Sequence, residues 1–489
     1  MKPSSEWSAR VAIAAALAAL VAWSCWERWT MLAASPFPVG IDGYFYPVQL
    51  RSLLEHGTLA YPASPLAFWL MAPLAAVTDP ITGAKLGAAL FGALIALPAY
   101  GVGAQLGRSR GAGLVAAALA TTSAGSAFLT FEFVKNGVGL TVALTALWLV
   151  LRALDRPARG RSVMALVGVA AAVLTHKMAG AIVLAIAVPA ALAVTRDRRI
   201  VVGVGVLAAL ALVLGLAFPE RFVSPDDLAL LSGMWTNEEH WAAPALVLPR
   251  TTLAMGHEAA IGGALAVIAG GLLVRDRERS RSLRVAAWII VGFALVLALP
   301  WIDVRDPMGL GFRVRIIAFV PMALCGAIVA TWLVGVTTLL VRDGVLAAVA
   351  LAILVAMPRD RTQGKVVAHP AMVAAIQALD IPPGATAIVP ERHLMFMVAW
   401  YTRAPARLAP DAVPRDQRVR VMPLAFIGAG SPLDEALTAA RAEPSLAPPR
   451  GTHPRHPNGL VLVTEPTWEW VLARLPPPAR DHFAAWPTI

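Results

Sequence analysis

About eleven stretches of mostly apolar residues recur along the chain, the first of them long enough to cross a bilayer as a helix of roughly 20 residues. A helix that is apolar on every side must be covered by lipid or by other helices, so this pattern excludes an ordinary soluble fold. The first run spans Arg10 to Ala34. Pro65 to Val77 is apolar but short, ends at Asp79-Pro80, and fits a helix lying in the outer interface. Further spans are expected at about Ile81–Leu106, Gly111–Thr130, Asn136–Leu154, the short pair Ser162–Thr175 and Met178–Val194, Ile200–Phe218, Ala259–Val274, Val285–Pro300, Ile316–Val334 and Gly344–Met357. Only 15% of residues are charged and 58% are hydrophobic, against roughly 25% charged in soluble domains. The expected fold class is a polytopic α-helical membrane protein.

The formal net charge of +11 follows the same pattern. Arginines gather in short loops on alternate sides of the apolar runs: Arg108 and Arg110; Arg152, Arg156, Arg159 and Arg161; Arg196, Arg198 and Arg199; then Arg275, Arg277, Arg279, Arg281 and Arg284. Acids collect in the intervening loops. This asymmetry orients a membrane protein with its basic loops in the cytoplasm. It is not the continuous basic face of a nucleic-acid-binding protein. The expected location is the plasma (inner) membrane, with a cytoplasmic N-terminus and residues after Met357 outside the cytoplasm. The first run is longer than a signal-peptide core and lacks a clear cleavage site, so it is expected to stay as an anchor. Cys25 and Cys325 both fall in apolar runs and form no metal or disulfide pattern.

At residue 358 the composition turns Pro-rich and mixed polar. This separates a transmembrane domain, 1–357, from a small extracytoplasmic α/β domain, 358–489. Strand-like Ala385–Val389, Val419–Ile427 and Leu460–Val463 alternate with helical His393–Tyr401, Leu433–Arg441 and Trp468–Leu475. No phosphate-binding loop or nucleophile motif occurs there, so no catalysis is assigned to it.

The loop after the first span, Pro36 to Tyr61, places one carboxylate, Asp42, between Gly40 and Gly43 and beside Tyr44, Phe45 and Tyr46. The glycines let the backbone turn tightly next to the acid, and the aromatics suit the membrane–water interface. A short amphipathic segment follows, with Arg51 and Glu55 at helical i, i+4 spacing. Such an acid is either a reactive group or a structural hydrogen-bond acceptor.

Asp42-Gly43-Tyr44-Phe45-Tyr46, then Arg51, Leu54, Glu55 and Gly57, resembles the first external loop of membrane-embedded GT-C glycosyltransferases, most nearly the oligosaccharyltransferase catalytic subunits. The resemblance implies a polyprenyl-phosphate-linked sugar donor. It also implies that Asp42 acts as base or binds a divalent metal (Mg or Mn). In such enzymes the second external loop adds metal-binding acids; here that loop offers Glu132, with Lys135 three residues on, so an ion pair between these two is an equal reading. His176 and Lys177 lie between two apolar runs, where the resemblance places a donor-facing histidine; they suit a phosphate, or they snorkel to the interface. Arg313 and Arg315, entering the tenth span, are candidate ligands of the donor phosphate. If that segment is helical they diverge, so only one faces a pocket.

The long loop from Pro219 to about His257 carries Asp226-Asp227 and Glu238-Glu239-His240 between Trp235 and Trp241. These could complete a metal site or cover the acceptor, with solvated acids the plainer reading. The expected catalytic residues are therefore Asp42 and Glu132, which are also the metal candidates. The expected phosphate ligands are His176, Lys177, Arg313 and Arg315. Acceptor and sugar stay open; no Trp-Trp-Asp motif is present, which disfavours asparagine as acceptor. A flippase for a lipid-linked sugar, or a silent scaffold of the same fold, are the rival readings. A transporter needs charges at mid-depth, whereas an enzyme collects Asp42, Glu132, Lys177 and an arginine on one external rim.

Overall fold

The computed structural model describes residues 3–194, 198–224, 227, 229, 251–276, 279–299, 302, 310–335, 339–356, 368–411, 413–424, 427–451 and 459–484. In chain order the helices are α1 (Pro3–Ala33), α2 (Phe45–His56), α3 (Leu66–Val77), α4 (Pro80–Leu94), α5 (Ala96–Gly107), α6 (Arg110–Thr122), α7 (Ala124–Phe131) and α8 (Val134–Asp155). They continue as α9 (Arg159–Thr175), α10 (Lys177–Val194), α11 (Arg198–Ala217), α12 (Thr251–Arg275), α13 (Arg281–Ala298), α14 (Leu310–Ile316), α15 (Phe319–Val334) and α16 (Leu339–Ala356). Among the described residues five strands and five further α-helices follow.

The chain forms two compact units, Met1–Ala34 with Tyr61–Thr78 and Thr82–Gly364, and Ser35–Ala60 with Asp79–Ile81 and Lys365–Ile489. Composition divides the chain once, at residue 358. Contacts instead assign the Asp42 loop and α2 to the unit built from the C-terminal residues.

The first unit is a helical membrane body. Among the described residues six helices are long and apolar enough to cross a bilayer: Trp7–Ala33, Pro80–Gly107, Val134–Asp155, Gly256–Arg275, Arg281–Ala298 and Leu310–Val334. A seventh span results if α6 and α7, bent by 48° at their junction, count as one. Lys177–Ala193 and Gly205–Ala217 are apolar but shorter. Small residues set the helix spacing, as is usual where lipid gives helices no reason to associate. A Cβ on Gly103 would lie 2.4 Å from Ala116 Cβ, and one on Gly107 2.4 Å from Ala112 Cβ, so α5 and α6 pack nearly backbone to backbone.

The expected span Gly111–Thr130 is not one straight helix. It breaks at Ser123, whose extended backbone (φ −68°, ψ 146°) ends α6 and begins α7. The break exposes carbonyls at the end of α6 and amides at the start of α7, and two buried charges meet them. Arg28 of α1 donates to the Thr121 carbonyl (3.1 Å), to Ser126 Oγ (2.8 Å), to Thr130 Oγ1 (3.1 Å) and to the Ser24 hydroxyl. The Glu258 carboxylate of α12 accepts from Ala124 N (2.6 Å) and Gly125 N (3.2 Å). A cation thus sits at a helix C-terminus and an anion at a helix N-terminus, the arrangement the helix dipoles favour.

The second unit holds a mixed sheet of β1 (Thr386–Ile388), β2 (Ala406–Arg407), β3 (Arg418–Pro423), β4 (Arg450–Gly451) and β5 (Leu460–Thr464) in the order β2-β1-β3-β5-β4. β1 is parallel to β2 and β3, and β5 is antiparallel to β3 and β4. Its helices are α17 (Pro370–Gln377), α18 (Arg392–Thr402), α19 (Pro432–Ala442), α20 (Glu465–Arg474) and α21 (Pro477–Ala484). Leu433 and Leu437 of α19 and Trp468 and Val471 of α20 cover Met422, Val461 and Val463. Arg418 and Arg420 share one face of β3 by strand alternation, and both reach buried Glu465 (3.7 and 2.9 Å).

Candidate active site

In the second unit, the turn around Asp42 is built as its glycines require. Gly40 has φ 92°, and a Cβ on Gly43 would fall 2.8 Å from the Val39 carbonyl oxygen. Gly43 N–H donates to the Gly40 carbonyl (3.0 Å) and Phe45 N–H to the Asp42 carbonyl (2.9 Å). Asp42 does not cap the following helix: the residue before α2 is Tyr44, and no side chain caps it. The carboxylate instead lies 3.4 Å from Arg392 Nε, the first residue of α18. Asp42 is 17% exposed and Arg392 46%, so the pair borders solvent.

The same helix, α18, receives the rest of the loop. Phe45 packs on Phe396 (ring centroids 5.1 Å apart), and the Tyr44 and Tyr401 hydroxyls lie 2.5 Å apart. Arg51 donates to the Ala399 and Trp400 carbonyls (2.7 and 2.8 Å) and stacks 4.6 Å over the Trp400 ring. Burial, reinforced by the bond to Tyr401, pushes the Tyr44 hydroxyl well above its usual pKa. It therefore stays protonated as a hydrogen-bonding group. Arg392 and Tyr401 were missed by sequence reasoning, and nothing in their local sequence marks them.

In the first unit, His176 is the extended residue between α9 and α10 and is buried, with Gly139 of α8 against its Cβ. Burial, then the cations Lys135, Arg313 and Lys177, hold its pKa well below the usual histidine value, so the imidazole is neutral. Its Nδ1 accepts from Met178 N–H at 3.2 Å. Lys135, Lys177 and Arg313, from α8, α10 and α14, thus act together on one neutral ring.

The two arginines of α14 do different things. Arg313 stands over the Phe133 ring at 5.9 Å and belongs to the His176 cluster. Arg315 donates to the Leu299 carbonyl (2.8 Å) beyond the end of α13, which makes it a helix-end clamp. Lys177 is ion-paired with Asp227, whose carboxylate also accepts from Ser224 N–H (3.0 Å). Burial works against the Asp227 charge, but Lys177 and Ser224 outweigh it and hold its pKa below the usual range. Glu132 is half-buried between α7 and α8, its backbone N–H on the Phe128 carbonyl (2.9 Å). Asp226, Glu238, Glu239 and His240 lie outside the described residues.

Below the cluster runs a narrow apolar crevice lined by Leu140, Ile182, Phe293, Ile317 and Val320, among others. Leu140, Ile182 and Ile317 stand one to two turns beyond Lys135, His176 and Arg313 on the same stretches of chain, roughly 6–9 Å along the helices. Lys85 of α4, buried, is a further membrane-embedded cation. It was legible as the lone charge of an otherwise apolar run. Among the described residues no three His, Cys, Asp or Glu side chains converge as metal ligands. Asp42 faces a guanidinium. The residues described therefore do not fit a tightly held Mg or Mn ion.

Residues 62–220 match the family model of dolichyl-phosphate-mannose-protein mannosyltransferases. That stretch contains Glu132, His176 and Lys177. No curated protein matches the chain. Among solved structures, ArnT from Cupriavidus metallidurans in the apo state aligns over 93% of this chain and 99% of its own, at 16% identity and a TM-score of 0.53. ArnT from the same organism bound to undecaprenyl phosphate aligns over 91% and 97%, at 18% identity and a TM-score of 0.45. The chain is an integral membrane protein with the fold of the GT-C glycosyltransferase superfamily.

Proposed function

We propose that the protein is a glycosyltransferase that moves a sugar from a polyprenyl-phosphate donor to an acceptor hydroxyl at the external face of the membrane. The observation that carries this is the cluster of Lys135, Lys177 and Arg313 around neutral His176, above an apolar crevice. A lipid-linked phosphate sugar has that shape, a charged head on a long hydrocarbon chain. The family model matching residues 62–220 is named for a polyprenyl-phosphate donor.

In this reading the cations hold the phosphate as the bond from the anomeric carbon to the phosphate oxygen breaks, and that oxygen leaves with the electron pair. Arg313 makes the charge-assisted hydrogen bonds, and neutral His176 adds a donor without repelling the arginine. Asp42 accepts the acceptor's proton as the new glycosidic bond forms, with inversion. Arg392 orients the Asp42 carboxylate. Glu132 remains a second candidate base.

The two α14 arginines separate the roles. Arg313→Gln should raise the donor KM at least tenfold, since a hydrogen bond to a charged group is worth about 1.5–3 kcal/mol. Arg315→Gln should leave KM near wild type and lower the thermal midpoint. The measurement is transfer from a synthetic polyprenyl-phosphate sugar in detergent, normalised to folded protein. Equal KM effects from both variants would defeat the assignment.

The orientation belongs to the same proposal: eleven spans, a cytoplasmic N-terminus and the sheet-bearing unit outside. A reporter that works only in the cytoplasm, fused after Ala368, should stay dark. A strong signal there would reverse the orientation.

A further inference from the structure

A second basic site, in which the donor-binding cations take no part, lies in the first unit where α5, α12 and α15 end. An open cavity of about 510 Å³ is lined there by Arg108, Arg275, Arg279 and Arg342, by Asp276, and by an apolar wall including Leu272, Ile328 and Trp332. We propose that this cavity binds the phosphate-bearing headgroup of an anionic membrane lipid.

Charge is the first argument. Among the described residues Asp276 is the one carboxylate lining the cavity, and it is shared by Arg108 (3.6 Å) and Arg279 (3.0 Å). Three helix C-termini offset part of the excess, at about half a charge each. Arg279 donates to the Leu106 carbonyl and Arg342 to the Arg108 carbonyl (3.2 Å). A net positive charge remains on the lining, and Arg342 Nε is buried without an acceptor among the described residues.

The walls decide between a lipid and a small ion. Trp332 is 56% exposed, and beside the cavity Val274, Leu333 and Val341 present apolar side chains outward. A free phosphate gains nothing from such a rim, whereas a lipid places its headgroup among the arginines and its acyl chains along that surface. Basic pockets between spans on the arginine-rich side of a membrane are where anionic headgroups bind.

The test uses the full-length protein in detergent, with thermal stability followed during titration of phosphatidylglycerol, phosphatidylcholine or inorganic phosphate. Phosphatidylglycerol should stabilise saturably at a concentration at least tenfold below phosphatidylcholine. Arg275→Gln with Arg342→Gln should raise the half-saturating concentration about 25-fold, from about fivefold per arginine. The Lys pair at the same positions should restore most of it. If the double Gln variant does not fold, Arg275→Gln alone, at an exposed position, should give the fivefold shift. A variant-sensitive response to inorganic phosphate at the same concentrations as phosphatidylglycerol would overturn the lipid as ligand and leave a soluble anion site. Equal responses to the two lipids, or a folded Gln variant that titrates like wild type, would remove the site altogether.

Discussion

Asp42→Asn should lower sugar transfer by about 10²- to 10⁴-fold, the usual cost of losing an acid–base group. The substitution keeps the size of the side chain and most of its hydrogen bonding but removes the charge. The fold around it should hold. The turn is made by backbone bonds at Gly40 and Gly43, and α2 is fixed to α18 by Arg51, Phe45 and Tyr44, none of which uses the carboxylate. Arg392 would lose its anion, but at 46% exposure it is hydrated and carries no buried-charge penalty. The check is transfer from a polyprenyl-phosphate donor in membranes, normalised to folded protein, for wild type and variant. Reduced accumulation with turnover per molecule kept would make Asp42 structural. Near-normal transfer with normal accumulation would remove it from the mechanism.

Arg28→Leu should be the most destabilising of the substitutions considered, by about 3 kcal/mol. Arg28 is buried at the α6–α7 break and is the donor to the Thr121 carbonyl that the break exposes. Removing it leaves acceptors without a partner in a place water does not reach, and opens a cavity beside Gly92, whose added Cβ would meet Arg28 at 2.9 Å. Arg28→Lys keeps the charge but not the fork that reaches Ser24, Ser126, Thr130 and Thr121 together, so it should cost less but not nothing. Thermal unfolding in detergent should show a clear drop for Leu and an intermediate one for Lys. An unchanged midpoint for Leu would mean that the break is held from elsewhere, with Glu258 the next residue to test.

The parts of the architecture read correctly from the sequence were those that depend on neighbours in sequence. The apolar runs gave the membrane body, because the length of an uncharged stretch is a local property. The strand segments at Ala385–Val389 and Leu460–Val463 contain β1 and most of β5, and helical His393–Tyr401 sits inside α18. The expected span Gly111–Thr130 failed as a single helix because its break at Ser123 is sustained by Arg28 and Glu258, each distant in sequence. The small polar stretch Thr121–Ser126 marks the place of the break, but only the packing of Arg28 and Glu258 makes it a break.

The sequence by itself determined that this is a helical membrane protein, that Gly40 and Gly43 fold a tight turn around Asp42, and that cations stand at the starts of several apolar runs. Each follows from residue type and spacing within a few turns of chain. The tertiary structure alone decided which charges meet. It put Arg392 on Asp42, gave Arg315 to the end of α13 while leaving Arg313 beside His176, and paired Lys177 with Asp227. It also gathered four arginines from three separate segments around one cavity. The physical reason is that a charge near a bilayer must find its partner across space. The partner lies on whichever helix packs alongside, and the packing depends on small residues such as Gly103 and Gly107, whose spacing does not name the helix they meet.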